Sequence, residues 1–224
     1  MRGSVPSVRE IETLLSQLPW RQFQSPRVHL EQYTTPVHLA ARIAHHVALC
    51  IDEDERRSVQ AVDLGTGTGI LALALCLAGL NHVLGVDVDS EALELARANA
   101  AALWELCPQS VGAVLEFAAV DVQPNSLALA PKSFDVAVLN PPFGTRQRSA
   151  DIAFLDVACH LSRRFVYSLH KSSTRSYLSR RLERFGCTAQ VYARLRFDLP
   201  ATYVFHRERA VDIDVDLWQI EVKR

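Results

Sequence analysis

Two short stretches of this 224-residue chain carry residue types that can do chemistry. The first is Asp63-Leu64-Gly65-Thr66-Gly67-Thr68-Gly69. Glycines at this spacing permit positive φ and let backbone approach a ligand closely. Asp87 follows 20 positions after Gly67, where a carboxylate can take both hydroxyls of a ribose. The second is Asn140-Pro141-Pro142-Phe143. Two prolines remove two backbone donors and fix φ. The Asn140 side chain and the Pro141 carbonyl can then aim acceptors at one place. Two acceptors suit an amine with two N–H bonds, and they leave its lone pair free. The Phe143 ring is a surface for stacking a planar base, worth about 1–3 kcal/mol in comparable sites.

Together the two stretches describe the transfer of a small group to an exocyclic amine. The first stretch alone is ambiguous, because Gly67-Thr68-Gly69-Ile70-Leu71-Ala72 also satisfies the G-x-G-x-x-A dinucleotide fingerprint. Asp63 argues for a sulfonium donor, since it can meet a cationic methionine amino group and would repel a pyrophosphate. A capping role for Asp63 in the turn is the structural alternative. Asp121 adds an acceptor for an adenine N6. Methyl transfer to such an amine is an in-line displacement that needs placement and no catalytic metal.

These stretches need particular elements to hold them. Val59 to Leu64 and Val83 to Val88 read as strands, with a helix Ile70 to Leu80 between them. Ser90 caps a helix to about Trp104, and Val114 to Val120 and Phe134 to Leu139 are further strands. A loop from Asn140 to about Ala150 leads to a helix ending near Leu161. The strand Arg164 to Leu169, the helix Thr174 to Phe185 and the strands Thr188 to Leu199 and Val211 to Ile220 follow. Upstream, Ser7 to Leu18 is helical, and Thr35-Pro36 opens a helix to about Ile51 with Thr35 as N-cap. The alternation predicts an α/β fold. It is a Rossmann-like sheet of seven strands, mostly parallel, with an antiparallel last pair and helices on both faces. Residues 1–57 read as an N-terminal helical extension covering the cofactor site, and residues 58–224 as the main domain.

Composition narrows the partners. Hydrophobic residues make up 49% of the chain, enough for a full core. Five scattered cysteines, none at C-x-x-C spacing, fit reduced thiols in cytoplasm or nucleus. No signal peptide or membrane span is visible. The net charge of −1 conceals a division: −7 through Leu139, +8 from Asn140 to Ala210, and −2 beyond. A basic segment inside a neutral chain is a candidate phosphate-binding face. Arg146, Arg148, Lys171 and Arg175 lie nearest the Asn-Pro-Pro-Phe stretch, while Arg180 and Arg184 share one helix face and Arg194, Arg196, Arg207 and Arg209 extend the charge.

Asp63 to Gly69 resembles the first motif of class I methyltransferases, and Asn140 to Phe143 that of amino-group methyltransferases. The runs Leu30 to Tyr33, Asn140 to Thr145, Tyr167 to Arg175, Asp198 to Ala201 and Val211 to Leu217 resemble a narrower family. That family is the eukaryotic methyltransferase-like enzymes that make N6-methyladenosine in small-subunit (18S) ribosomal RNA. The resemblance implies S-adenosyl-L-methionine as cofactor, with S-adenosyl-L-homocysteine as product. It implies that Gln32 and Thr35 close over the cofactor. Asp63, Gly65, Gly67, Asp87, Val88, Asp121, Val122 and Asn140 would hold it, and Asn140, Pro141, Pro142 and Phe143 would form the adenine site. It also implies a heterodimer with a small zinc-binding activator protein, paired edge to edge near Val114-Leu115-Glu116-Phe117. The linker Trp104 to Gly112 is longer than the family pattern. Guanine N2 or a protein glutamine amide is the alternative target, and a non-catalytic RNA-binding subunit a more distant one.

Overall fold

The computed structural model describes residues 4–108, 113–124, 129–143, 149–200 and 210–223. Helix α1 (Val8–Gln17) starts on a capping box, in which the Glu10 carboxylate accepts the Ser7 N–H at 2.7 Å and the Ser7 hydroxyl accepts the Glu10 N–H. Its Ile11 and Leu15 are fully buried, each stabilising the fold by about 1.5–3 kcal/mol. Helix α2 is Val37–Leu49. The expected side-chain cap at Thr35 does not form: Pro36 occupies the N-cap position, and the Thr35 hydroxyl is engaged with Asn140 instead.

The rest of the chain alternates strand and helix. Its elements are β1 (Gln60–Leu64), α3 (Ile70–Leu77), β2 (His82–Asp87), α4 (Ser90–Leu106), β3 (Val114–Ala119) and β4 (Phe134–Leu139). Then come α5 (Ala150–Leu161), β5 (Ser162–Lys171), α6 (Arg175–Arg184), β6 (Thr188–Pro200) and β7 (Ala210–Glu221). Helix α3 stops short of the expected Leu80. Gly79 turns left-handed at φ +99° just beyond it, which ends a helix at little cost. Asp89, not Ser90, caps α4 by accepting the Glu91 N–H at 3.1 Å.

The strands form one sheet in the order β3-β2-β1-β4-β5-β7-β6. The first five are parallel, and β7 runs antiparallel to both β5 and β6. The sheet is the expected one, including its antiparallel last pair. Alternate residues feed two cores, as strand periodicity requires. Ala61, Val136, Val138 and Leu169 pack with helices α1 to α4. Val62, Ala137, Leu139 and Val166 pack with α5 and α6. No helix of the described residues is long and apolar enough to cross a membrane.

Space is short where β2 passes β3. A Cβ on Gly85 would lie 2.6 Å from the Phe117 ring and 2.8 Å from the Thr66 hydroxyl. Gly85→Ala is expected to destabilise the chain by about 1–3 kcal/mol through overpacking, read as a lowered denaturation midpoint. An unchanged midpoint would show that Phe117 can move away freely.

Candidate active site

Strands β1 and β4 are neighbours, with Leu64 paired to Leu139 at their carboxyl ends. Beyond them the chain turns to opposite sides of the sheet. In open α/β sheets this divergence leaves a crevice for a ligand. Residues 65–69 form the wall on one side. The N–H groups of Gly65 and Thr66 both donate to the Val86 carbonyl at 2.9 Å, which locks the turn to β2. Gly65, Gly67 and Gly69 have φ of +70°, +54° and +88°, so the glycines meet the conformational demand read from the sequence. Gly65 is also short of space, because an added Cβ would lie 2.9 Å from the Phe154 ring.

The crevice is a cavity of about 320 Å³. Its lining brings together Gln32, Thr35, Gly65, Gly67, Asp87 and Asn140, and the expected Val88, Asp121, Val122 and Pro142 lie on the same wall. Asp87 ties the two halves of the cofactor side. Its Oδ2 accepts the Gly67 N–H at 2.9 Å and its Oδ1 the Asp89 N–H at 3.0 Å. Burial raises the Asp87 carboxyl above its usual range, against the lowering effect of those bonds. A buried carboxylate in that condition has capacity for further donors, as a ribose would supply. Gln32 reaches in from the N-terminal side and donates to Asp89 at 2.7 Å.

Asp63 stands elsewhere. It is fully buried behind the turn and is not part of the cavity wall. Its Oδ2 accepts the Thr66 hydroxyl at 2.7 Å and the Ala72 N–H at 3.2 Å, so it braces the turn against α3. Its Oδ1 has no hydrogen-bond partner. Burial pushes the carboxyl up to about 7, against the pull of Thr66 and Ala72, and the nearby Asp87 pushes the same way.

The Asn-Pro-Pro-Phe stretch is held from the N-terminal segment by three alternate residues. Asn140 Nδ2 donates to the Thr35 hydroxyl at 3.0 Å. The Tyr33 hydroxyl donates to the Pro141 carbonyl at 3.0 Å. The Phe143 N–H donates to Glu31 Oε2 at 2.9 Å. The Tyr33 and Phe143 rings stack with centroids 5.1 Å apart and 18° between planes. Phe143 is buried, and Asn140 Oδ1 is buried with no hydrogen-bond partner.

The basic residues separate into several groups. Arg146 and Arg148 lie outside the described residues, as do Arg207, Arg209 and the end of the linker, 109–112. Lys171 ends β5 at the carboxyl edge of the sheet. Arg175 is committed to a buried carboxylate: its Nε and Nη2 donate to Asp216 at 2.7 and 2.6 Å, and Ser172 donates to the same group at 2.7 Å. Burial alone would raise the Asp216 carboxyl. Arg175 and Ser172 outweigh it and leave the group below its usual range. Arg181 pairs with Asp156 on α5, while Arg180 and Arg184 stay exposed.

Sequence reasoning assigned no role to Tyr33, Glu31 or Asp89. Tyr33 and Glu31 lie inside a run quoted for its resemblance, but their contacts span more than a hundred residues and leave no periodic signal. A second group is Ser168, His170 and Asp151, of which His170 reads from the sequence as either a hydrogen-bonding site residue or an ordinary strand-end histidine. His170 Nε2 is 2.8 Å from the Ser168 hydroxyl, and Nδ1 is 3.5 Å from Asp151. Ser168 and His170 are fully buried, so the group links β5 to α5 from inside.

A switch-point cavity with a glycine turn on one wall and an amide acceptor on the other, set in this strand order, defines a class I methyltransferase. Residues 45–132 match the ribosomal protein L11 methyltransferase (PrmA) family. Over 201 residues the chain is 39% identical to the rRNA N(6)-adenosine-methyltransferase Mettl5 of Drosophila melanogaster, covering 89% of this chain and 90% of the relative. It is 34% identical to the Danio rerio rRNA N(6)-adenosine-methyltransferase METTL5, covering 93% and 96%. A Pyrococcus horikoshii crystal structure, described as a candidate RNA methyltransferase, superposes with a TM-score of 0.79 at 26% identity, covering 99% of this chain and all of that one. The chain belongs to the family of the rRNA N(6)-adenosine-methyltransferases.

The Asp63 carboxyl makes stability depend on pH with a definite sign. In the folded chain it stays protonated up to about 7, whereas in the unfolded chain it ionises in the usual carboxylate range. Its contribution is intact below that range and is lost as pH rises toward 7, on the order of 4 kcal/mol at the upper end. Asp63→Asn removes the ionisation. The variant should therefore gain on the parent as pH rises from 4 to 8 in denaturant titrations. A stability difference independent of pH would refute this placement of the proton.

Proposed function

We propose that the chain transfers a methyl group from S-adenosyl-L-methionine to the N6 amine of an adenosine in small-subunit ribosomal RNA. The observation that carries this reading is Asn140. Thr35 holds its amide nitrogen, and its Oδ1 is buried without a partner beside the cavity. A buried acceptor left unpaired costs about 1–3 kcal/mol. An incoming N–H donor removes that cost.

The cavity residues fit the donor. Gln32, Gly67, Asp87 and Asp121 would hold its adenosine and amino-acid parts. The bound donor supplies an electrophilic methyl group on a sulfonium. Asn140 Oδ1 and the Pro141 carbonyl accept the two N–H bonds of the amine and turn its lone pair toward that methyl. Phe143 fixes the plane of the base. With the donor bound, the amine would displace the methyl group from sulfur in line, leaving the thioether, and the methylated nitrogen would give up its proton to water. No residue has to remove a proton first, so the protein contributes alignment.

The names of the Drosophila and Danio relatives support adenine N6 and ribosomal RNA as the target. The basic stretch after Asn140 supports a polyanionic substrate, with Lys171 near the site and Arg180 and Arg184 exposed farther along α6. An adenine buried in an A-form duplex is out of reach of side chains, so the target has to be unpaired or turned out. A partner through the sheet edge is part of the same reading. Strand β3 is an edge strand with Val114 half exposed, a surface suited to strand addition by a small zinc-binding activator protein.

Asn140→Ala is expected to lower methylation of small-subunit RNA by at least about a hundredfold, because a misplaced amine loses the in-line geometry, while S-adenosyl-L-homocysteine still binds by calorimetry. Nucleoside analysis of the RNA should show N6-methyladenosine. N2-methylguanosine, or methyl transfer to protein instead, would redirect the reading, and full activity of the variant would sink it. Co-expression with the activator should raise the yield of folded chain, and Val114→Asp should abolish that gain.

A further inference from the structure

The N-terminal segment does more than border the cavity. Tyr33 makes two of the three contacts that the proposed function reserves for the target base, and leaves Asn140 Oδ1 unmet. Its ring lies on Phe143 at 5.1 Å between centroids, nearly parallel. Its hydroxyl donates to the Pro141 carbonyl at 3.0 Å. Rings at that separation are already in contact, so no third ring fits between them. The cavity wall agrees: Tyr33 lines it, and Phe143, buried beneath, does not.

We propose that Tyr33 is a place-holder for the target base, occupying the stacking face of Phe143 and the Pro141 acceptor until a base displaces it. The inference rests on the reading of Phe143 and Pro141 as the base seat. The match is chemical as well as spatial. A tyrosine offers a planar ring and one O–H donor, and adenine offers a planar ring and N–H donors from its exocyclic amine. An entering base that lacks such a donor would break the Tyr33 bond and leave the carbonyl unpaired. The place-holder therefore favours ligands that bring a ring and a donor together.

The segment is anchored on both sides of Tyr33. On one side, Gln32 is tied to Asp89 at 2.7 Å and Arg27 to the same carboxylate at 3.3 Å. On the other, Thr35 holds Asn140 just before α2 begins. Glu31, at φ +50° in the left-handed region, is held there while its carboxylate takes the Phe143 N–H. A non-glycine residue at positive φ carries local strain. Displacing Tyr33 leaves these anchors in place, so the cofactor side of the cavity keeps its shape.

An occupied seat lowers the apparent affinity for the base by the fraction of time it is vacant. The test uses the full chain with S-adenosyl-L-homocysteine. Its probe is a short single-stranded uridine-rich RNA carrying one 8-vinyladenosine, which keeps the adenine exocyclic amine and whose fluorescence is quenched on stacking. Tyr33→Ala is expected to tighten the quenching transition about fivefold, the scale of one lost aromatic stack, with S-adenosyl-L-homocysteine affinity unchanged. Tyr33→Phe, which keeps the ring and loses the donor, should tighten it less. Tyr33→Leu repeats the measurement with bulk retained, should the alanine variant fold poorly. Unchanged or weaker quenching in both Tyr33→Ala and Tyr33→Leu overturns the place-holder. Adding Phe143→Ala to Tyr33→Ala separates the two ideas. Quenching that persists without Phe143 means the base sits elsewhere, and the functional reading fails. Quenching that needs Phe143 but ignores Tyr33 removes only the place-holder.

Discussion

The site depends on one constraint: two adjacent parallel strands, β1 and β4, end together and send the chain to opposite sides of the sheet. Helices cannot fill the gap that opens there, so a crevice remains at a fixed place. Leu64 and Leu139 are cross-strand neighbours, which brings Gly65 and Asn140 side by side although 75 residues separate them. The backbone ladder sets this proximity, and ladder bonds inside a two-sided core resist small displacements. The side chains at the site therefore have only to choose orientation. The tight turn makes that possible, since its N–H groups are drawn onto β2 by the Val86 carbonyl.

Among the described residues, the buried polar atoms without partners at or just behind the crevice include Asn140 Oδ1 and Asp63 Oδ1, besides the Thr68 hydroxyl. Folding alone would select against each, since an unpaired buried polar atom costs about 1–3 kcal/mol. Proteins keep such costs at functional sites and offset them elsewhere. Here the offset is visible in the hydrophobic faces around the site. All eight residues of α3 are buried, and both faces of the sheet are covered. The Asn140 and Asp63 oxygens differ in kind. Asn140 is neutral, and its fixed amide nitrogen leaves the oxygen one direction to face. Burial pushes the Asp63 carboxyl up to about 7, so below that pH it braces the turn without placing a bare charge in the core.

The fold was legible because its signals are local. Strand periodicity and a glycine turn between strand and helix each lie within a few residues and appear where they are read, and the Asn-Pro-Pro-Phe stretch follows its strand, with Phe143 buried under Tyr33. What escaped was decided by distant partners. Thr35 has the residue type of a helix cap, and Asn140 takes its hydroxyl instead. Asp63 has two readings, a cavity carboxylate and a cap of the turn, and its bonds to Thr66 and Ala72 match the second. Tyr33 gave no cue, because a tyrosine in an irregular segment has no period to betray its target. The glycines, read as ligand space, also serve packing, with Phe154 against Gly65 and Phe117 against Gly85.

Charge shows most clearly why composition bounds function without locating it. The net of +8 between Asn140 and Ala210 counts every cation alike. In the fold they are unequal. Arg175 neutralises Asp216, which has no exposed surface, and releasing it would strand a buried carboxylate. That guanidinium is bound to the core, and its capacity to grip phosphate is correspondingly reduced. Arg163, Arg164 and Arg181 are paired with Asp135, Glu55 and Asp156 at the surface or partly buried, where a pair is worth little and a phosphate can compete for the cation. Arg180 and Arg184 are already exposed. Arg175 stays with Asp216, which pairs with His170 near the carboxyl end of β5, whereas Arg163 and Arg164 lie at the strand's opposite end.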